Sequence, residues 1–382
     1  MRILITVPWG EALGGAEAML QGVLAGAHAE GHEPELVFFE GGPWPDALAN
    51  AGFRVAVIPA GRLREAQRWG LTVVRLARLM RSRQPDLIVN WAAKTQLYGS
   101  PAALLAGMAD RVVWWQQVIP GRHWMDACAT MLPTAAVGCY SSAAARAQER
   151  LFPRRRTFVV AAGARVPEHA RGDGLQPASL ELPGDVPILG LVGRLQPWKG
   201  QDRLLRAQAL LRERGHRTHV LIVGGDAYGR SPEYAGSLPA LIDELGLAGA
   251  VTLTGQVADA GPYIERLDIL VNASDPEPFG IVLLEGMSRG VAVVAVDAGG
   301  PAEFIANGRT GVLARTGEPH DLADALEPLL AAPDRRAAIG RAGRESFMHE
   351  FTDAAMRKRF FDNLQAIVDR RGLRSNGRRV HV

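Results

Sequence analysis

The chain has almost no cysteine and almost no lysine. Two cysteines in 382 residues, Cys128 and Cys139, cannot build a disulfide framework, and neither sits in a metal-ligand spacing. No apolar run approaches the roughly 18 residues that span a bilayer. The opening run Met1–Val7 meets Pro8 too soon to form a signal-peptide core. The expectation is a soluble, cytoplasmic protein. Lysine occurs three times, at Lys94, Lys199 and Lys358, against 40 arginines. The net charge of +3 resides in the first half: residues 1–185 hold 19 basic and 16 acidic side chains, and the remainder holds 24 of each. That balance lacks the dense basic face nucleic acid requires, so no nucleic-acid partner is expected. With 47% hydrophobic and 22% charged residues, disordered, collagen-like and coiled-coil classes are excluded.

What is present is alternation. Short β-branched runs recur between stretches of helical period, the pattern of parallel sheets flanked by helices. Strands are predicted at 2–7, 34–39, 54–58, 86–90, 111–115, 135–139 and 156–160, with helices at 15–29, 71–83, 95–107 and 142–151. The alternation resumes with strands near 187–193, 218–223, 250–254, 268–272, 292–296 and 311–314. Residues 161–187 are rich in Gly and Pro and lack periodicity, which marks an interdomain linker. A last helix with Met356, Phe360, Phe361, Leu364, Ile367 and Val368 at helical spacing has no strand after it. It leads into a tail, Arg370 to Val382, with five Arg and no acid. The reading is two Rossmann-like α/β domains: 1–165, a linker at 166–186, a second domain at 187–351, and a terminal helix and tail at 352–382.

Open parallel sheets bind ligands at the carboxyl ends of their strands, so the chemistry is sought there. The first strand runs into Gly10-Glu11-Ala12-Leu13-Gly14-Gly15-Ala16-Glu17 and a helix, where backbone N–H groups can meet an anion or merely turn. The second domain opens with Val192-Gly193-Arg194-Leu195-Gln196-Pro197-Trp198-Lys199-Gly200. Two cations at a strand end, one of them a rare Lys, suit a diphosphate clamp. Further on, Glu277-Pro278-Phe279-Gly280-Ile281-Val282-Leu283-Leu284-Glu285 places Glu277 in a loop before a helix starting after Gly280. Glu285 then falls inside a nearly apolar helix, where a carboxylate needs a polar partner, and sugar or ribose hydroxyls suit it. Glu277 could instead cap the helix. Asp297-Ala298-Gly299-Gly300-Pro301-Ala302-Glu303 is a further strand-to-helix turn.

These segments, with the Gly308-Arg309-Thr310-Gly311-Val312-Leu313 stretch, resemble retaining glycosyltransferases of family four, over nearly the whole chain. The resemblance implies GT-B architecture: two Rossmann-like domains with parallel sheets facing across a cleft, and a C-terminal helix crossing back to the first domain. It implies a nucleoside-diphosphate-sugar donor, UDP-linked, and a saccharide, lipid-linked or small-molecule acceptor. Arg194 and Lys199 would hold the diphosphate, Gly14 and Gly15 would offer backbone N–H to it, Glu277 would contact the donor sugar and Glu285 the ribose. Gly193, Phe279, Gly280 and Ile281 would shape the donor pocket, and the backbone at Gln256 and Val257 would face the base. Arg194, Lys199 and Glu277 are the implied catalytic set, with no metal and no cofactor. An epimerase or hydrolase on the same fold, or a non-catalytic nucleotide-sugar-binding protein, would use the same residues.

Acceptor contacts are implied in the first domain: Asn90, Trp91 and Lys94 after the fourth strand, and Trp115, Gln117, His123 and Trp124 after the fifth. Indole faces stack on sugar rings, though core packing is the commoner fate of a Trp. Two positions depart from the family pattern. Gln117 stands where relatives commonly have His, and Gln exchanges hydrogen bonds without carrying a proton. Ala161-Ala162-Gly163-Ala164-Arg165 stands where relatives often have Pro-Asn-Gly and an Asp. Residues 62–83 carry seven Arg against Glu65. Some relatives seat such a helix on anionic membrane, so peripheral association at the inner membrane face is a minor expectation beside a solvated basic face.

Overall fold

The structure, a computed structural model, describes residues 1–12, 14–121, 123–168, 180–229 and 231–377. It divides into two compact units, Met1–Ala161 with Ala354–Val382, and Ala162–Asp353. Of the linker expected at 166–186, residues 169–179 lie outside the described residues, as do 378–382 of the basic tail.

The first unit runs β1 (Arg2–Val7), α1 (Gly15–Leu24), β2 (Glu33–Phe38), α2 (Pro43–Asn50), β3 (Arg54–Val57), α3 (Ala66–Arg83), β4 (Leu87–Asn90), α4 (Ala93–Ala106), β5 (Val112–Gln116), α5 (Trp124–Met131), β6 (Ala136–Cys139), α6 (Ser142–Glu149) and β7 (Thr157–Val159). Its strands pair in parallel in the order β3-β2-β1-β4-β5-β6-β7. The order reverses at β1, so the loops after β1 and β4 diverge and leave a crevice at the carboxyl edge.

The second unit runs β8 (Ile188–Val192), α7 (Gln201–Glu213), β9 (His219–Val223), α8 (Pro232–Glu244), β10 (Val251–Leu253), α9 (Gly261–Ile264), β11 (Ile269–Asn272), α10 (Ile281–Ser288), β12 (Ala292–Val296), α11 (Pro301–Phe304), β13 (Val312–Ala314), α12 (Pro319–Ala331) and α13 (Pro333–Glu350). Its parallel sheet has the order β10-β9-β8-β11-β12-β13, with the reversal at β8. The strands read as unbroken apolar runs because both faces are covered: Val220, Leu221, Ile222 and Val223 are all buried, as are Ala292 to Val296. Leu204, Leu205 and Leu211 of α7 and Leu322, Leu326 and Leu329 of α12 pack into the same core.

The last helix, α14 (Asp353–Gly377), belongs to the first unit from Ala354 onward. Phe360 meets the Trp115 ring at 5.4 Å and Trp91 at 6.0 Å, and Phe361 stacks on His32 at 3.8 Å. Arg357 pairs with Glu30 at 2.6 Å, and Arg371 with Asp110 at 2.8 Å. Aromatic burial supplies the attraction and the two ion pairs fix the register. The run at 62–83 becomes α3 and the turn before it, with Thr72, Val73, Leu76, Ala77 and Met80 inward and Arg75 and Arg78 on the exposed face. Both cysteines are free. Among the described residues, no helix is long and apolar enough to cross a membrane.

Candidate active site

The residues of greatest chemical interest in the second unit gather where its strand order reverses. After β8 the chain passes Gly193 and Arg194, makes a short turn at Pro197–Lys199 and enters α7. After β11 it passes Ser274 and Glu277 and enters α10. Because β8 and β11 are neighbours, these two loops meet, and Lys199 Nζ donates to Glu277 Oε2 at 2.8 Å. The pair is largely withdrawn from water, with side chains 17% and 8% exposed. Asn272 Nδ2 donates to the same Oε2 at 3.1 Å. Burial alone would raise the Glu277 pKa. The Lys199 charge and hydrogen bonds from Lys199, Asn272 and Ser274 outweigh it, so the carboxyl titrates below its ordinary value and is ionised at neutral pH. Lys199 also sits 4.1 Å from the centre of the Trp198 ring, a cation–π contact that limits its rotamers.

Arg194 differs. Its carbonyl accepts from Gln201 Nε2 at 2.9 Å, but its half-buried guanidinium has no hydrogen bond or ion pair among the described residues. An unpaired cation thus stands beside an internally neutralised Lys–Glu pair. The Glu277 loop is braced from β12, since Gly300 N–H donates to the Glu277 carbonyl at 2.8 Å. Gly300 permits this approach: a Cβ there would lie 2.4 Å from Phe279 Cα and 2.5 Å from the Pro278 carbonyl oxygen. Gly280 caps α10 at φ +94°, a conformation that favours glycine. Ile281, half-buried, opens the helix. Phe279 is buried and packs on Phe304 at 5.1 Å, so it supports the loop from beneath.

Glu285 lies one turn into α10, partly buried, and no group donates a hydrogen bond to its carboxyl among the described residues. Burial raises its pKa to about 7, the Arg289 charge opposing and the Asp259 and Asp353 carboxylates adding. Gln256 and Val257 follow β10. Gln256 is exposed, and the adjoining Gly255 carbonyl accepts from Gly224 N–H at 3.1 Å, tying this loop to the end of β9.

The residues proposed from the first unit separate into two sets. Asn90, Trp91 and Trp115 are fully buried. Asn90 accepts from Thr6 Oγ1 and donates to Gln96 Oε1, each at 2.8 Å. The two indoles stack at 5.3 Å with an 8° interplanar angle. Lys94 pairs with Glu40 at 3.0 Å, Gln117 Nε2 donates to the Trp91 carbonyl, and His123 Nδ1 accepts from Met125 N–H at 3.3 Å, capping α5. Trp124 is 56% exposed. Gly14 and Gly15 stand at the N-cap and first residue of α1.

Sequence comparison covers the same ground. A family described as glycosyl transferases group 1 matches residues 174–346. D-inositol 3-phosphate glycosyltransferase of Gordonia bronchialis is 36% identical over 201 residues, 50% of this chain and 44% of that protein. A lipopolysaccharide core biosynthesis glycosyltransferase of Rhizobium meliloti is 28% identical over 179 residues, 47% of this chain and 50% of that protein. The chain thus spans about half the length of the relatives it matches. In structure, Anabaena HepE in complex with UDP and glucose superposes with a TM-score of 0.81 over 95% of this chain and 99% of that one, at 23% identity. Sucrose-phosphate synthase of Thermosynechococcus elongatus gives 0.77 over 96% and 98%, at 20% identity. The two parallel-sheet α/β units match GT-B glycosyltransferase structures.

The segment matched by that family contains Gly193, Arg194, Lys199, Gln256, Val257, Glu277, Phe279, Gly280, Ile281 and Glu285. Of these, the structure brings Arg194, Lys199, Glu277 and Gly280 to one pair of strand ends, and turns Phe279 from a pocket wall into a packing residue. Outside that segment, Asn90, Trp91 and Trp115 need correction as acceptor contacts. The two indoles are sealed between the first sheet and α14, and an indole with no open face cannot stack on a sugar, while the buried Asn90 amide is taken by Thr6 and Gln96. Asn272, which holds Glu277, was missed by sequence reasoning. The available signal was its place as the amide that ends the otherwise apolar β11.

Proposed function

We propose that the chain is a retaining glycosyltransferase that moves a sugar from a nucleoside-diphosphate sugar, UDP-linked, to a hydroxyl of a saccharide, lipid-linked or small-molecule acceptor. The observation that carries this reading is the buried Lys199–Glu277 pair beside the unpaired Arg194 guanidinium. A diphosphate needs positive charge with fixed geometry, and this arrangement provides one idle cation and one held in place. Arg194 forks onto the phosphate oxygens, and Lys199 uses its remaining hydrogens on the leaving phosphate. Glu277 accepts from hydroxyls of the donor sugar, and Glu285 accepts from the ribose. The base lies against the Gln256–Val257 backbone. The acceptor oxygen forms its bond to the anomeric carbon on the face from which the phosphate oxygen departs. Its proton passes to that phosphate, so no protein base is consumed. The cations do the electrostatic work, and no metal is required. Support also comes from the group 1 domain match and from solved neighbours described with UDP. Acceptor binding is assigned to the first unit, with Lys94, Gln117, His123 and Trp124 as its contacts.

The test is a thermal-shift titration with UDP, GDP, dTDP and ADP, followed by product analysis with the sugar conjugate of the stabilising nucleotide, with and without acceptors. A ligand at 100 times its Kd adds about 2.7 kcal/mol to the state that binds it. UDP is expected to stabilise, and sugar consumption is expected to require acceptor. Sugar release or isomerisation without acceptor would make the protein a hydrolase or epimerase instead. Stabilisation with no turnover across a broad acceptor panel would leave only binding.

A further inference from the structure

The amino ends of β8, β9 and β10 adjoin a cavity of about 210 Å³, at the opposite end of the sheet from the Lys199–Glu277 pair. Gln208 of α7 and Thr218, just before β9, line it. Gln208 Nε2 donates to the Thr218 carbonyl at 3.1 Å and to the Ala250 carbonyl at 2.9 Å. Two carbonyls both require the NH₂ group, so the amide has one orientation and cannot flip. Among the described residues its Oε1 is left buried without a partner, and so is Thr218 Oγ1. The two residues are only 1% and 8% exposed. Buried polar oxygens are nearly always satisfied, and two orphans beside one cavity mark a place where a ligand's hydrogen-bonding groups are wanted.

The other polar groups of the cavity are engaged, with one exception. His219 Nε2 bonds Thr252 Oγ1 at 2.8 Å, and burial holds its pKa below the ordinary value, so it stays neutral at pH 7. His216 is taken by Glu327 at 3.2 Å, and Arg212 by the Gly246 and Leu245 carbonyls. Arg217 is the exception: it is 79% exposed and among the described residues touches only Asp185, at 3.5 Å, long for a charge-assisted bond.

We propose that this cavity is a second ligand site, taking a small polyol phosphate. One hydroxyl donates to Gln208 Oε1, which can only accept. A neighbouring hydroxyl exchanges a hydrogen bond with Thr218, which can do both. The phosphate draws Arg217 from Asp185. The volume falls below the roughly 300 Å³ at which drug-sized pockets begin, which restricts the ligand to about one ring. The inference does not depend on the transfer chemistry at the other end of the sheet.

Isothermal titration with glucose 6-phosphate, glucose and inorganic phosphate tests it, on the wild type and on Thr218→Val, Arg217→Gln and Arg194→Ala. Glucose 6-phosphate is expected to bind the wild type and Arg194→Ala alike, and at least tenfold more weakly to Thr218→Val. Arg217→Gln, a change at an exposed side chain that leaves the fold intact, should abolish most of the preference for glucose 6-phosphate over glucose. Three results overturn the proposal: no binding of any probe to the wild type, binding lost in Arg194→Ala but kept in Thr218→Val, or the same preference in Arg217→Gln as in the wild type.

Discussion

Glu285 gives the sharpest quantitative expectation. Its carboxyl is partly buried, receives no hydrogen bond among the described residues, and titrates near pH 7. If it accepts from the ribose, the carboxylate is the binding form. At pH 6 about a tenth of the protein carries it, and at pH 8 about nine tenths, so donor affinity should rise nearly tenfold, or about 1.3 kcal/mol. Glu285→Gln should flatten this profile and hold affinity near the acid limb. An intact UDP-sugar is the right probe, because free UDP has a terminal phosphate that titrates in the same range. The same carboxyl shapes stability with a defined sign. Its pKa in the fold is raised from 4.5 to about 7, so the folded and unfolded states are both protonated below pH 4.5 and no penalty exists. Between 4.5 and 7 the unfolded chain ionises first, and stability falls at up to about 1.4 kcal/mol per pH unit before levelling off. Solvent access at the carboxyl reduces that slope. Glu285→Gln should therefore melt higher than the wild type at pH 8 while binding donor more weakly. Titration calorimetry at pH 6, 7 and 8, with melting curves alongside, reads both. Parallel pH profiles for wild type and variant would refute the ribose assignment.

Other outcomes follow from the same geometry. Arg194→Ala should leave the melting temperature unchanged, because its guanidinium has no partner to lose among the described residues, while turnover falls about 100-fold or more, the cost of one charge-stabilising donor; normal turnover would remove Arg194 from the clamp. Lys199→Ala should instead cost both activity and about 3–5 kcal/mol of stability, since it strands a buried carboxylate, and a melting curve matching the wild type would contradict the burial of the pair. Gly300→Ala puts a Cβ 2.4 Å from Phe279 Cα and should destabilise by about 1–3 kcal/mol with lost turnover; Gly184→Ala, where a Cβ meets nothing within 4 Å, is the control. Chelator should leave turnover unchanged, and a loss restored by Mg²⁺ would overturn the metal-free proposal.

Much of this was legible from sequence because it is local. The Leu221-Ile222-Val223 run becomes β9 with every side chain buried, and Gly280 heads α10 as the motif implies. The misfit of Glu285 in an apolar helix was also legible, and no group of the described residues hydrogen-bonds its carboxyl. What escaped depends on distance along the chain. Lys199 and Glu277 are 78 residues apart, and only the strand order, with β8 beside β11, brings them together. The burial of Trp91 and Trp115 depends on Phe360, contributed by the last helix of the chain. Strand-end periodicity cannot reveal that a later helix will cover those rings.

The Lys199–Glu277 pair is poorly explained as a device for stability. Withdrawing both charges from water costs most of what their attraction returns, and apolar side chains of similar volume would often serve the fold better. Its effect is on position. An unpaired lysine at a strand end would sample many rotamers, and a ligand would have to stop that motion on binding. Here Glu277 and the Trp198 ring hold the ammonium before any ligand arrives, and Asn272 holds Glu277. An ammonium has three hydrogens, so bonding to the carboxylate leaves donors for an incoming phosphate. Neutralising the pair internally also keeps Arg194 as the local excess of positive charge, which a diphosphate would meet without first displacing an existing ion pair.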